Sequence, residues 1–493
     1  MEHGEIPKEV GAIGSRLIEA GFEAYAVGGC VRDMLLGKVP ADWDIATNAR
    51  PEDIQRLFPD SFYENKFGTV TVVTTSKKGS LRHIEVTPYR AETVYSDRRH
   101  PDNIKFARTI EQDLKRRDFT INAMALQIPE IRHQKPDFKV VDLFGGQKDI
   151  EDKLIRAVGN PEERFKEDAL RLLRAVRIAT QLDFDIEPHT ARAMAKHANL
   201  LQAVSAERIR DEFSKLVMSD MPERGIEILR ELQLLPYVMK ELEEGYGIGQ
   251  NKHHIFTVWE HNLNALKYAA EKKWPFDVRL AALLHDVAKP RCKSGDGPDS
   301  TFYGHDVVGA KMATQMLGRL KYPKDFTEKV SKLVRYHLFY YNVDEVTESS
   351  VRRLIAKVGL EDMEDLIRVR ICDRIGSGVP KAEPYKLRHF RFLVEKLSRD
   401  PVSVKMLRLK GDDVMKITGI PPGPKVGFLL NILLEEAIDD PTLNQKQKLE
   451  KRVNELGAMS DEELKKLAAD AKKKTIALEE QEVGTIKKRH WVK

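Results

Sequence analysis

The reading turns on AYAVGGCVRDMLLGKVPADWDIATNA, Ala24–Ala49. AYAV reads as a strand ending in a glycine turn, VRDMLLG as a short helix closed by Gly37, and DWDIAT as a second strand. Gly28 and Gly29 lack side chains, so backbone N–H groups at the helix start can approach a phosphate. Arg32 can add a forked contact to phosphate oxygens. A plain strand-turn-helix corner with Arg32 paired to Asp33 uses the same letters. On a strand, residues i and i+2 share a face, so Asp42 and Asp44 project together while Trp43 points away into packing. Two carboxylates so close repel unless a cation neutralises them. Magnesium favours hard oxygen ligands and bridges carboxylate to phosphate, and such ions serve phosphoryl transfer. Alone, D-x-D reads first as a solvated turn, with Asp42 capping a backbone amide; its place after GGCVRD and before RRDFTINA and EDALR is what favours the metal.

Around this stretch the first 150 residues mix strand and helix signals. GTVTVVTT and LRHIEVTPY are β-branched strands, and RAETVYSDRRHPDN (Arg90–Asn103) is a polar, turn-rich loop. From about Asn160 the pattern is helical: PEERFKEDALRLLRAVRIATQL (Pro161–Leu182) reads as a helix, and AERIRDEFSKLVMS as another. Glycines in EEGYGIGQNKHH mark a boundary at about 240–252. The expected fold class is α+β, with a head over 1–150, a helical neck over 151–240, a histidine-rich region over 250–395 and a helical tail over 396–493. The chain has 493 residues, 41% hydrophobic and 32% charged, with formal net charge +5. That balance forces neither a nucleic-acid nor a membrane reading, and no apolar run reaches about 18 residues. Cys30, Cys292 and Cys372 stand far apart, which speaks against a disulfide framework and for a reducing, cytoplasmic setting.

The motif set YAVGGCVRDMLLG…ADWDIATNA, DLKRRDFTINAMAL (Asp113–Leu126), VVDLFGG (Val140–Gly146), RFKEDALRLLRAVRIA (Arg164–Ala179) and AERIRDE (Ala206–Glu212) resembles the class II template-independent RNA nucleotidyltransferases over roughly the first 220 residues. These are the bacterial-type CCA-adding tRNA nucleotidyltransferases and the bacterial poly(A) polymerases. The resemblance implies a polymerase-β-like head in which Asp42 and Asp44 hold catalytic magnesium, with Glu85 as candidate third carboxylate. It implies nucleotide contacts from Gly28, Gly29, Arg32, Arg117, Asp118 and Asn122. Its E-D-x-x-R motif falls on Glu167, Asp168 and Arg171, with Arg174 and Arg177 continuing a stripe spaced by three.

That motif has a chemical logic. A carboxylate only accepts hydrogen bonds and a guanidinium only donates. Cytosine and adenine each offer an exocyclic amine donor beside a ring-nitrogen acceptor, which suits Asp168 beside Arg171. Uracil and guanine present the reverse order and would leave buried polar groups unpaired, at about 1–3 kcal/mol each. The alternative is an Asp–Arg pair on a solvated helix face. The pair does not explain a switch from C to A. The resemblance assigns that to a mobile loop, where RAETVYSDRRHPDN sits; relatives that add only the two cytidines look shortened there, and this chain does not.

The third region holds seven of the fourteen histidines. VWEHNLNAL…RLAALLHDVAKP resembles the HD superfamily of metal-dependent phosphohydrolases. The resemblance places metal ligands at His261, His285, Asp286 and Asp373, and a second metal at His305 and His337. Imidazole and carboxylate suit a divalent transition metal. GIPPGPKVGFLLNILLEEAIDDPTLN resembles the tail of HD-containing CCA-adding enzymes, and the basic KKRHWVK end can meet phosphates. The expected activity is addition of CMP, CMP and AMP to the tRNA 3′ end from CTP and ATP, with no membrane partner. The rivals are poly(A) addition by the same head, or an HD phosphohydrolase with an accessory head.

Overall fold

Seven short β-prone runs close into one mixed sheet in the computed structural model, which describes residues 6–64, 68–90, 106–129, 139–251, 255–343, 346–398 and 400–467. The strands are β1 (Tyr25–Val27), β2 (Asp44–Thr47), β3 (Ser61–Glu64), β4 (Thr69–Val73), β5 (His83–Pro88), β6 (Met124–Gln127) and β7 (Val140–Asp142), in spatial order β3-β4-β5-β2-β1-β6-β7. Only β2 and β5 run parallel; the other pairs are antiparallel. The register places Val27 opposite Asp44 and Asp44 opposite Glu85, so the two carboxylates sit side by side at the sheet centre. On β5 exposed and buried residues alternate at first, His83 and Glu85 outward, Ile84 and Val86 inward. Trp43, Ile45, Ile84 and Val86 join one core, whereas Val27, Ala46, Tyr89, Ile110, Leu114 and Ala125 form a second. Trp43 is therefore packed in the core as expected, although it stands just before the strand rather than on it.

The chain divides into two compact units, 1–246 with 270–276 and 315–323, and 247–269 with 277–314 and 324–493. The break at 246 falls in the glycine-marked stretch. The first unit continues from the sheet into helices Pro161–Glu167, Leu170–Leu182 and Ala206–Val217. In the second, the regular elements among the described residues are helices, and it carries a core of its own over Leu407–Leu464.

One expectation needs correction here. The run from Pro161 to Leu182 is two helices, not one, because Asp168 is extended (φ −140°, ψ 104°). Its Oδ1 accepts the Leu170 N–H at 3.0 Å. An aspartate that satisfies a free donor of the following helix competes with helix continuation. Asp168 thus precedes the stripe of Arg171, Arg174 and Arg177 rather than belonging to it. The Arg90–Asn103 loop, beyond Arg90, and the KKRHWVK end lie outside the described residues.

Candidate active site and metal centre

A cleft of about 350 Å3 in the first unit is lined by Asp44 and Glu85 from the sheet, Arg117 and Asp118 from the RRDF turn, and Asp168, Arg171 and Arg174 from the neck. Seven of the residues singled out from sequence, contributed by segments more than a hundred positions apart, therefore share one space. Asp42 lies in the bend before β2 and is exposed, so it is not a strand residue beside Asp44. It is near enough to help raise the Asp44 carboxyl, which burial lifts first and Arg117 pulls back. Among the described residues, Asp42, Asp44 and Glu85 do not gather within 4.8 Å as a set. The donor set is nonetheless all hard carboxylate oxygen, on half-buried Asp44 and exposed Glu85 in the cleft wall and on exposed Asp42 two residues before Asp44, which is the chemistry magnesium takes.

The glycine turn is built for close approach. Gly28 has φ +79°, and a Cβ there would stand 3.0 Å from Arg117 Nη1; only glycine fills the position without strain. Arg32 follows the plain-corner alternative in part: its Nε and Nη2 fork onto Asp33 Oδ1 at 2.9 and 2.7 Å, while Nη1 donates to Asn122 Oδ1 at 2.8 Å. Asn122 donates in turn to Asp118 Oδ1 at 3.3 Å. Asp118 accepts from Arg174 Nε and Nη2 at 2.8 and 2.7 Å. Burial alone would raise the Asp118 carboxyl, but Arg174 and Arg171 outweigh it and hold it down to about 2. Gly28, Arg32, Asn122, Asp118 and Arg174 thus form one connected wall.

Arg171 is buried and strongly held. It donates from Nη1 to Glu167 at 2.6 Å and to the Arg164 carbonyl at 3.1 Å, and from Nη2 to the Arg116 carbonyl at 3.0 Å. Those bonds use three of five N–H donors, leaving two for a ligand. Glu167 also meets Arg164 Nη2 at 2.6 Å, so its carboxylate bridges Arg164 and Arg171. Asp168 and Arg171 are not paired to each other: Asp168 Oδ2 accepts from Arg208 at 2.8 Å. Arg177 is not among the cleft-lining residues; it pairs with buried Glu212 at 2.7 Å.

Sequence reasoning assigned no role to Arg208, Arg116, Arg90, Thr69 or Thr87, all in the cleft wall. Nor did it assign one to Asp113, which accepts from Arg116 at 2.9 Å and from Arg117 at 3.0 Å. Arg208 and Asp113 lie inside AERIRDE and DLKRRDF, but their partners could not be read from letters alone.

The second unit gathers a metal-type cluster with every ligand buried. His285 and Asp286 follow directly on the helix Phe276–Leu284, at its end as expected. His261 Nε2 lies 2.8 Å from His285 Nε2, 3.1 Å from Asp286 Oδ2 and 3.4 Å from Asp373 Oδ1. The other Asp286 oxygen faces His305 Nε2 at 3.1 Å and His337 Nε2 at 3.6 Å. His285, His305 and His337 each direct Nδ1 to a carbonyl three residues earlier, of Ala282, Phe302 and Val334, at 2.7, 2.5 and 2.7 Å. That bond fixes the tautomer and leaves Nε2 as the ligand atom. Asp286 Oδ1 and the Nε2 atoms of His305 and His337 are buried and complete no hydrogen bond, whereas Asp286 Oδ2 has the Lys289 ammonium beside it. Buried polar atoms in that state are costly, and a divalent cation fits them. Burial opposes charge on His285, yet Asp286 and Asp373 outweigh it and raise the imidazole to about 10. Lys289 Nζ, 2.6 Å from Asp286 Oδ2, and Arg370 Nη1, 2.5 Å from Asp373 Oδ2, are further cations that sequence reasoning missed.

The head and the cluster together define the class, a nucleotidyltransferase joined to an HD domain. Residues 24–156 match the poly A polymerase head domain, 183–245 the probable RNA and SrmB-binding site of polymerase A, and 258–375 the HD domain. A CCA-adding enzyme of Ligilactobacillus salivarius is 32% identical over 438 residues, 88% of this chain and 92% of its own. One of Bacillus subtilis is 45% identical over 272 residues, 55% of this chain and 64% of its own. The Bacillus stearothermophilus CCA-adding enzyme, solved in complex with CTP, matches with TM-score 0.68 at 27% identity, covering 91% of this chain and 96% of that one. The chain belongs to the family of CCA-adding enzymes. No helix among the described residues is long and apolar enough to cross a membrane.

Proposed function

We infer that this protein completes the 3′ end of tRNA by adding CMP, CMP and AMP from CTP and ATP without a template. The observation that supports this best is the shared cleft, where Asp44 and Glu85 line the same space as Asp168 and Arg171. In the reaction, the RNA 3′ hydroxyl oxygen attacks the α-phosphorus, the bond to the β-phosphate oxygen breaks, and pyrophosphate leaves. Asp42, Asp44 and Glu85 would hold magnesium, which supplies charge neutralisation and activation of the hydroxyl when bound. Arg117, held by Asp113 and lying against Gly28, meets the triphosphate with the backbone N–H groups of the glycine turn. Asp168 keeps free lone pairs for the exocyclic amine of C or A, and Arg171 keeps two N–H donors for the ring nitrogen. Arg32, Asn122 and Arg174 act through Asp118, as positioning residues of that wall. The neck and tail helices grip the RNA by shape and phosphates.

The test offers tRNA lacking its 3′ end with CTP alone, ATP alone and both, and sequences the products. Two C residues followed by one A are expected; a long A tract selects poly(A) addition instead.

The buried cluster favours a second reading for the other unit, hydrolysis of phosphate esters at a divalent transition metal held by His261, His285, Asp286 and Asp373, with His305 and His337 for a second ion. Cyclic phosphodiester or phosphate ends of RNA are the substrate class to try. Metal analysis and a phosphodiesterase assay with a His285→Ala control decide it: no metal and no hydrolysis across several divalent ions removes the reading.

A further inference from the structure

The helix Tyr385–Leu397 lies beyond the segment matched by the HD domain and buries Leu387, Phe390, Leu393, Val394 and Leu397. Its other face is aromatic. Tyr385, His389 and Phe392 stand at i, i+4 and i+7, which places them in one row. The His389 ring centroid lies 6.2 Å from those of both Tyr385 and Phe392, with interplanar angles of 33° and 42°. Tyr385 is 62% and Phe392 57% exposed. A surface helix ordinarily turns polar side chains to water, so a row of rings there marks a contact surface. The same helix carries Lys386, Arg388, Arg391 and Lys396 against one carboxylate, Glu395. Glu383 and Glu364 occupy Arg391, and Glu348 occupies Lys396. Lys386 and Arg388 are exposed on the same helix, Lys386 donating to the Asn342 side-chain oxygen at 3.0 Å without a carboxylate partner among the described residues.

Flat rings flanked by cations match the two surfaces of an unpaired nucleotide, its base face and its phosphate. An apolar protein partner would be answered by the rings but not by the charge. We propose that Tyr385, His389 and Phe392 form a stacking platform for unpaired loop bases of the RNA substrate, with Lys386 and Arg388 on the adjoining phosphates. The proposal rests on the RNA-substrate reading above and adds a recognition surface outside the nucleotide cleft. Stacking tolerates any base, so the platform would grip tRNAs of different sequence alike.

The test uses the full chain and a fluorescent tRNA transcript lacking its 3′ CCA. Tyr385→Ala with Phe392→Ala should weaken binding at least about 10-fold, the scale of losing one or two base stacks, and should leave the maximal addition rate at saturating RNA unchanged. Tyr385→Trp with Phe392→Trp should retain affinity. Lys386→Glu with Arg388→Glu should weaken binding and flatten its salt dependence. Unchanged affinity in a folded Ala variant, checked by its thermal midpoint, overturns the platform. So does loss of a dimer on sedimentation with RNA affinity intact, which would assign the row to a second copy of the chain. Failure of the unaltered protein to extend tRNA would sink the functional reading, while the affinity comparison would still decide the platform.

Discussion

Asp113 touches no cleft space itself, yet it sets the direction of two arginines that line it. Its carboxylate is 1% exposed and takes Arg116 on one oxygen and Arg117 on the other. Burial would raise this carboxyl, but Arg117 and Arg116 outweigh burial and hold it down to about 2, against an ordinary 3.8. A folded-state value below the unfolded one stabilises the protein above the unfolded value and loses that stabilisation as pH falls through the folded value. The window therefore runs from about pH 4 down to about pH 2, and the difference corresponds to about 2 kcal/mol. Asp113→Asn should lose about that much at pH 7, measured as a lower urea midpoint, and should flatten the acid limb of the stability curve in that window. It should also raise KM for CTP and ATP, since Arg117 is no longer held against Gly28. A variant with unaltered KM would mean that Arg117 needs no such support.

At the scale of the element, the break between the helices Pro161–Glu167 and Leu170–Leu182 matters more than either helix. A continuous helix would commit the Asp168 backbone to its ladder and carry the carboxylate along the arginine stripe. The break leaves Asp168 capping Leu170 and bonded to Arg208, facing the cleft with lone pairs to spare. Asp168→Ala should therefore do two things. It should relax discrimination against UTP and GTP, and it should lower stability by about 1 kcal/mol through the lost cap. Asp168→Asn keeps an oxygen for the cap, so its thermal midpoint should stay near the original while base choice still changes, because an amide both donates and accepts. If nucleotide preference survives in both variants, the base edge is read elsewhere. The break also shows what the letters could and could not convey. KEDALRLLRAVR has helical periodicity throughout, and periodicity is blind to a side chain that competes for a backbone N–H. Four of the seven strands, the GGCVRD turn, the HD residues and the seven cleft residues were legible because local pattern or motif spacing carries them, whereas Ser61–Glu64, Met124–Gln127 and Val140–Asp142 are too short to show a period. Arg208 on Asp168, Arg174 on Asp118 and Arg177 on Glu212 were not, since each pairing is made only by packing between segments remote in sequence. The placement of Asp42 on the strand was misjudged for a smaller reason, a strand that begins two residues later than its alternation suggests.

Across the whole molecule two candidate metal sites sit on one chain, and their donor sets differ in a way that should make them separable. The head offers carboxylates alone, partly exposed, on a sheet whose fold does not depend on an ion: its cores are closed by apolar side chains. The second unit offers imidazoles and carboxylates that are all buried, several of them without hydrogen bonds. Leaving such groups unpaired costs free energy in the folded state, so an ion bound there stabilises the fold by its binding free energy, about 2.7 kcal/mol when present at a hundred times its dissociation constant. Nickel, cobalt or manganese should accordingly raise a thermal transition of the full-length protein, and chelation should reverse the rise. His285→Ala should abolish that shift and leave CMP and AMP addition intact. Asp44→Asn should do the converse, ending nucleotide addition while the metal-induced shift stays as large as before. Magnesium should restore addition after chelation without restoring the thermal shift, because a hard ion has little affinity for a cluster of imidazole nitrogens. Loss of nucleotide addition in His285→Ala, with its fold intact, would show instead that the two sites depend on each other.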